Sequence, residues 1–338
     1  MRFACPNRMS AVPSVFLAFS AVFMFALYYS RATNPPIVIA DQPIPTPVPS
    51  VEIATKYNLM EETFGENWAK EQADKYLAPS YCTIEYANTN QLQQDHPCVI
   101  RLIRESYLRQ PAPKNVPYNM NHSETIDPSD GQSKEILRLL HNQTNGFFIE
   151  CGGFDGEFLS NTLYMERSLD WSGLLIEADK KVFTQLISRN RKAFTTPACL
   201  STKPFPMEVV YNGTAETLGA IIEEKDVKQP QNQQKDTENI YKMQCFPLYS
   251  ILLAIGRTDV DYFGLDVEGA EYKILKTIPW HKVNMKTVTA EWNHVTEGEP
   301  GLTRLMESNK FTKTGLISNY YTREVVYIQN SFNIYREK

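Results

Sequence analysis

Three short acidic stretches carry residue types and spacing suited to ligand chemistry. The first is Glu150-Cys151-Gly152-Gly153-Phe154-Asp155-Gly156, a glycine-bearing loop directly after the apolar run Phe147-Phe148-Ile149. Its glycines permit a tight turn and a close approach of backbone to ligand. A pyrophosphate-binding fingerprint needs glycine where this loop has Phe154 and Glu157, and Glu150 and Asp155 repel phosphate. The same carboxylates suit a ligand carrying an ammonium and a sulfonium, which describes S-adenosylmethionine better than NAD. Gly152, Gly153 and Gly156 then form the floor on which such a ligand rests.

The second stretch is Leu174-Leu175-Ile176-Glu177. A carboxylate at that place accepts hydrogen bonds from both hydroxyls of a ribose. The third is Leu265-Asp266-Val267-Glu268-Gly269-Ala270-Glu271, with Glu291, Trp292 and His294 further on. Methyl transfer to oxygen wants a base beside the acceptor hydroxyl, with in-line approach to the sulfonium. Asp266, Glu268, Glu291 and His294 are the candidates. Each feature also has a plainer reading. The glycine loop alone is a common strand-to-helix turn, and Glu177 alone is a solvated strand-end carboxylate. Asp266 and Glu268 precede a helix whose N-terminus they cap on that view, and His294 is a surface histidine. No Ser-His-Asp arrangement, His-Glu-x-x-His signature or Cys-x-x-Cys spacing competes, and no metal is expected.

The elements that must position these residues follow from periodicity. Helical spacing is expected over 133–142, 161–169, 180–191, 270–277 and 301–308. Short apolar runs read as buried strands at 147–150, 174–177, 195–200, 207–211, 260–266 and 287–291. Residues 316–320 and 324–328 form a terminal hairpin around Tyr321-Thr322-Arg323. Buried strands that alternate with helices predict an α/β fold with a mainly parallel, doubly wound sheet. The final hairpin adds an antiparallel pair at its edge. Ligands of such sheets bind beyond the carboxyl ends of the strands, where all three acidic stretches fall.

Upstream, the organisation changes. Residues 1–10 are a short tail, and 11–29 carry no charge. At about 1.5 Å per helical residue, that run spans a hydrocarbon core roughly 30 Å thick. Arg2 and Arg8 before it place the tail in the cytoplasm and the body in the lumen, as a type II signal-anchor does. A cleaved signal peptide is the rival reading, with Ser30-Arg31-Ala32 as the small-residue site. Residues 30–50 are a proline-rich stalk, 51–132 a stem or small accessory layer, and 133–338 the main domain. The polar, Gln-rich stretch 223–239 is expected as a loop. Sequons at Asn121, Asn142 and Asn212 agree with the secretory pathway. Cys82, Cys98, Cys151, Cys199 and Cys245 are an odd set. We pair Cys82 with Cys98 and Cys199 with Cys245, which leaves Cys151 reduced in the glycine loop. Net charge is −5, and no basic run is long enough for a nucleic-acid partner.

The motif Asp266-Val267-Glu268-Gly269-Ala270-Glu271, downstream of a glycine-rich acidic loop, resembles the FkbM family of methyltransferases. The stretches 148–157, Ser160-Asn161-Thr162, 173–179 and 199–204 are similar to the Star proteins of animals, single-pass membrane proteins with an FkbM-like domain. The resemblance implies a Rossmann-like class I methyltransferase fold over about 133–330. Glu150, Gly152, Asp155 and Gly156 match the first cofactor motif, Glu177 the ribose-binding acid, and Asp266 and Glu268 the acidic motif at the fourth strand. Glu291 matches the next strand end. One position departs: Glu150 stands where the family commonly has Asp. The resemblance to Star implies help in moving membrane-bound EGF-type growth-factor precursors from endoplasmic reticulum toward Golgi and endosomes. An active S-adenosylmethionine-dependent O-methyltransferase, acting on a glycan or small molecule, is the alternative. Lumenal placement favours the escort, because cofactor must be carried into that compartment.

Overall fold

The computed structural model describes residues 82–213, 220–222 and 240–333. The expected membrane span 11–29, the stalk 30–50 and the loop 223–239 lie outside them. Among the described residues, no helix is long and apolar enough to cross a membrane.

The strands that carry the site are β1 (Phe147–Cys151), β2 (Ser172–Ile176), β3 (Phe194–Thr196), β8 (Asp259–Leu265), β9 (Asn284–Glu291), β10 (Phe311–Ser318) and β11 (Arg323–Gln329). They form a 7-stranded sheet in the order β10-β11-β9-β8-β1-β2-β3. Strands β3, β2, β1, β8 and β9 run parallel, while β11 and β10 are antiparallel at one edge. Alternate side chains feed opposite faces, as the pleat requires. Phe147, Ile149, Leu174, Ile176, Phe263, Leu265, Val325 and Tyr327 pack into one core. Phe148, Leu175, Tyr262 and Val326 pack into the other. Both faces are therefore apolar, and short continuous hydrophobic runs result. Gly173 is required there, because a Cβ would overlap the ring of Phe148.

Six helices surround the main sheet's strand tips and faces: α3 (Gln132–Leu139), α4 (Leu163–Leu169), α5 (Lys180–Ser188), α6 (Leu248–Ile255), α7 (Glu271–Thr277) and α8 (Gly298–Ser308). Asp179 fixes the start of α5 by accepting hydrogen bonds from the backbone N–H groups of Lys181 and Val182, both at 2.9 Å. Two shorter helices precede them, α1 (Ile84–Thr89) and α2 (Pro97–Leu102), the latter opened by Pro97 and running into a π turn at Ile103–Tyr107. Ala87, Val99, Ile103 and Leu108 from this region are buried in the same core as β1. Backbone hydrogen bonds between Arg109 and Thr195, 2.8 and 3.1 Å, lay the following chain along β3 and cover that edge. The segment expected as a stem or accessory layer is, from residue 82 onward, a layer of the body.

One expectation about the elements needs correction. Residues 195–200 are not one strand. Pro197 lacks the N–H that a ladder needs, so β3 stays in the main sheet and β4 (Cys199–Leu200) enters a second one. That 4-stranded sheet has the order β4-β7-β5-β6, with β5 (Met207–Asn212), β6 (Ala220–Ile222) and β7 (Ile240–Phe246). The second sheet and α6 were not foreseen. Helix α6 is apolar on nearly every side, with Leu248, Ile251, Leu252 and Ala254 buried, so its sequence shows no helical period. Disulfides join Cys82 to Cys98 and Cys199 to Cys245, and Cys151 is a buried free thiol. The second bridge sits at a register pair of β4 and β7.

Candidate active site

The turn after β1 is built from behind. Gly152 and Gly153 donate to the Ile176 carbonyl at 3.0 and 3.1 Å. Gly152 has φ +86°, and a Cβ on it would overlap the Asp266 carbonyl oxygen. Only glycine therefore lets β1 and β8 close on each other at this level. Asp155 Oδ1 accepts from the N–H groups of Glu157 and Phe158 at 3.0 and 2.7 Å, and its Oδ2 meets Arg189 at 2.6 Å. Glu150 is buried and accepts from Asn161 N at 2.7 Å, Ser160 Oγ at 2.9 Å and the Thr162 hydroxyl. Arg191 holds those same hydroxyls from the other side, at 3.2 and 3.0 Å. Burial pushes the Glu150 carboxyl up despite the nearby guanidinium. Glu150 and Asp155 thus hold the loop in shape and do not line the cleft in front of it. Gly156, at φ +78°, lies close against Leu186 of α5, and Gly153 packs behind the turn against Leu175 and Leu186, so neither lines the cleft.

The cleft in front of the loop has about 670 Å³ of atom-free space including its open mouth. Gly152, Phe154, Glu177, Asp266 and Glu268 line one part of it, and Ile176, Ala198, Leu200 and Tyr211 give it an apolar wall. All three stretches therefore reach one cavity, the first through Gly152 and Phe154 and the other two through their carboxylates. Glu177 is 7% exposed and so not a solvated strand end. Its oxygens accept from Phe154 N at 2.8 Å and Asp179 N at 2.7 Å. A carboxylate has lone pairs left for further donors. Burial pushes Glu177 up to about 7.

Beside the cleft the third stretch gathers four carboxyls and an imidazole. Donor atoms of Asp266, Glu271 and Glu291 lie within 4.8 Å of one another, as do those of Glu268, Glu291 and His294. Burial, then the charges of Asp266, Glu268 and Glu271, pushes Glu291 up to about 10, and its carboxyl hydrogen-bonds Asp266. Burial also raises Asp266 and Glu268. His294 Nδ1 pairs with Glu268 and lies 3.3 Å from Glu291 Oε2, while Nε2 lies 3.2 Å from Asn293 Nδ2. One tautomer satisfies all of these: Nδ1–H donates to the carboxylates, and Nε2 accepts from the Asn293 amide. His294 is half exposed, at the lip of the cleft wall that Glu268 forms.

All four residues expected to carry chemistry thus come together. The capping alternative for Asp266 and Glu268 does not describe them, because α7 has Ala270 at its N-cap and no side-chain cap. Glu271 does that work on the loop, accepting from Val267 N at 2.8 Å and Gly269 N at 2.9 Å. Burial pushes it up to about 7. Glu271 belongs to the acidic motif and is a site residue that the sequence reading misses. Its spacing, one helical turn after Glu268, was the available signal.

Residues 150–315 match the family model described as the methyltransferase FkbM domain. No curated protein matches the chain in sequence. Among solved structures, magnesium protoporphyrin IX methyltransferase (ChlM) from Synechocystis PCC 6803 with bound SAM is similar at 11% identity and a TM-score of 0.32, covering 62% of this chain and 79% of that one. The METTL16 MTase domain is similar at 15% identity and a TM-score of 0.35, covering 80% and 94%. Human methyltransferase 10 domain containing protein is similar at 12% and 0.34, covering 73% and 98%. Superposition this loose says nothing about substrate. The matched segment begins at Glu150 and contains the glycine turn, Glu177, the acidic cluster and His294, so the chain carries a methyltransferase FkbM domain.

Proposed function

We propose that this domain binds S-adenosylmethionine in the cleft between β1, β2 and β8 and transfers its methyl group to a hydroxyl. The observation that carries this reading is the meeting of Glu177, Asp266 and Glu268 around one cavity, with His294 held at its lip. The donor set fits the ligand. Glu177 accepts from ribose hydroxyls, the Ile176, Ala198 and Leu200 wall takes a flat base, and the remaining carboxylates face the positive amino acid end. When bound, the cofactor supplies an electrophilic methyl. The chain supplies the rest: Glu268 orients His294, and Nε2 takes the proton of an acceptor hydroxyl that displaces the Asn293 amide. Glu291, which keeps its proton at neutral pH, holds Asp266 in place by a hydrogen bond. Calorimetry with S-adenosylmethionine tests the reading. Saturable heat that Glu177→Ala weakens about tenfold or more supports it, and no heat with the wild-type protein removes it.

The membrane setting is proposed separately. We infer a single-pass type II protein of endoplasmic reticulum, Golgi or endosomal membrane, anchored through 11–29 with the body lumenal. Its supports are the uncharged apolar run, the two disulfides and the exposed sequon residues Asn121 and Asn142. That compartment also favours the second reading, an escort for EGF-type growth-factor precursors as the likeness to Star implies. Deleting the protein should then strand such a precursor in the endoplasmic reticulum. An unchanged precursor distribution would remove the escort.

A further inference from the structure

We propose that a strip of exposed aromatic rings leading out of the cleft is an acceptor platform for a sugar ring, so that the methylated hydroxyl belongs to a neutral glycan. The proposal rests on the methyltransferase reading above and names its substrate class. Phe154 lines the cleft. Its ring lies 6.0 Å from that of Phe158, which lies 6.2 Å from Tyr321, which lies 4.6 Å from Tyr320. Away from the cleft the rings become steadily more open, with Phe158 41%, Tyr321 56% and Tyr320 76% exposed. Large apolar surface left in contact like this marks a binding face.

The strip is held out on purpose-built scaffolding. The turn between β10 and β11 is tied down by Tyr321 N to Asp130 Oδ2 at 2.9 Å, Asn319 Nδ2 to the Asp130 carbonyl at 2.5 Å, and Gln132 Nε2 to Thr322 Oγ1 at 3.0 Å. Its backbone is fixed while its two tyrosines face water. Rigid aromatic contact surface of that kind binds with little loss of side-chain entropy.

The neighbouring groups select the occupant. Trp292 N donates to the Arg323 carbonyl at 3.0 Å, which sets this turn beside Glu291 and His294. The only cation of the turn, Arg323, directs its guanidinium to the carbonyls of Asn319 and Thr322. Among the described residues of this turn and its neighbours, ring faces stand together with carboxyl, amide and imidazole groups, and the one cation of the turn is turned onto backbone carbonyls. A sugar ring matches both halves, with C–H bonds for the aromatic faces and hydroxyls for the polar wall.

The test uses the full-length protein on a printed panel of neutral oligosaccharides and a parallel panel of lysine-rich peptides. Wild type should hold a subset of the neutral glycans. The double variant Tyr320→Ala/Tyr321→Ala should lose roughly four- to a hundredfold in apparent affinity, at roughly two- to tenfold per ring, and Tyr321→Trp should retain binding. Both tyrosines are exposed, so melting temperature should stay put. Absence of glycan binding by wild type overturns the proposal, as does binding that the double variant keeps. Capture of lysine peptides in place of glycans, lost in the double variant, overturns it in favour of a cationic acceptor. Calorimetry with S-adenosylmethionine on the same samples separates the two readings. Wild type without cofactor heat defeats methyl transfer, whereas intact cofactor binding without glycan binding defeats only the platform.

Discussion

His294 and Glu291 have different duties although they touch. His294 is half exposed, with a carboxylate partner on Nδ1 and only the Asn293 amide on Nε2. Replacing it with Gln should lower kcat by roughly 10²–10⁴ while leaving cofactor affinity unchanged, measured by turnover and calorimetry on one preparation. Glu291 carries its proton up to about pH 10, so an amide imitates its working form. Glu291→Gln should therefore keep kcat at pH 7 within a few-fold of wild type. Glu268→Gln, which removes the partner that orients His294, should cost at least tenfold. A Glu291→Gln variant as slow as the His294 variant would contradict the division of roles.

At the scale of elements, the site depends on strand tips held level with one another. Gly152 permits β1 and β8 to close, the buried pairs Asp155–Arg189 and Glu166–Arg191 brace the turn, and the Cys199–Cys245 bridge fixes the apolar wall of the cleft. The chain-entropy cost of opening that bridge is roughly 4 kcal/mol, against roughly 3 kcal/mol for Cys82–Cys98, because its loop is longer. Denaturant melts of Cys245→Ser and Cys98→Ser should follow that order. The first should also weaken cofactor binding, since Cys199 and Leu200 line the cleft. Equal cofactor affinity in the two variants would separate β4 from the site. Gly173→Ala forces a methyl into Phe148 and should destabilise the fold by about 1–3 kcal/mol.

For the whole molecule, the density of buried acids sets a pH dependence. Burial pushes Glu177, Glu271 and Glu324 up to about 7. A carboxyl that keeps its proton longer folded than unfolded contributes stability that is full below about pH 4.5. That contribution is lost as the pH climbs through about 7. The body should melt at lower temperature at pH 8 than at pH 5. Glu324 lies outside the cleft lining, is 1% exposed and accepts from Gln132 Nε2 at 2.8 Å. Glu324→Gln keeps that acceptor and should recover up to about 3 kcal/mol at pH 8 with little change at pH 5. Parallel losses for variant and wild type would place the pH sensitivity elsewhere.

The sequence by itself determined the parallel core, because strands buried on both faces must be apolar throughout, and β1, β2 and β8 read that way. It also determined which residues could do chemistry, since strand-end carboxylates and a glycine turn are local features. The FkbM resemblance and both disulfides were legible as well. Other features were decided only by the tertiary structure. Periodicity does not say which way a strand-tip carboxylate turns, so Glu150 read as a cleft residue although Ser160 and Thr162 draw it inward. A helix apolar all round shows no period, and α6 stayed hidden. The second sheet and the aromatic strip depend on chain segments far apart in sequence, as with Phe158 and Tyr321. Only packing brings such residues together, because the contacts that hold them are made across the fold and leave no local pattern.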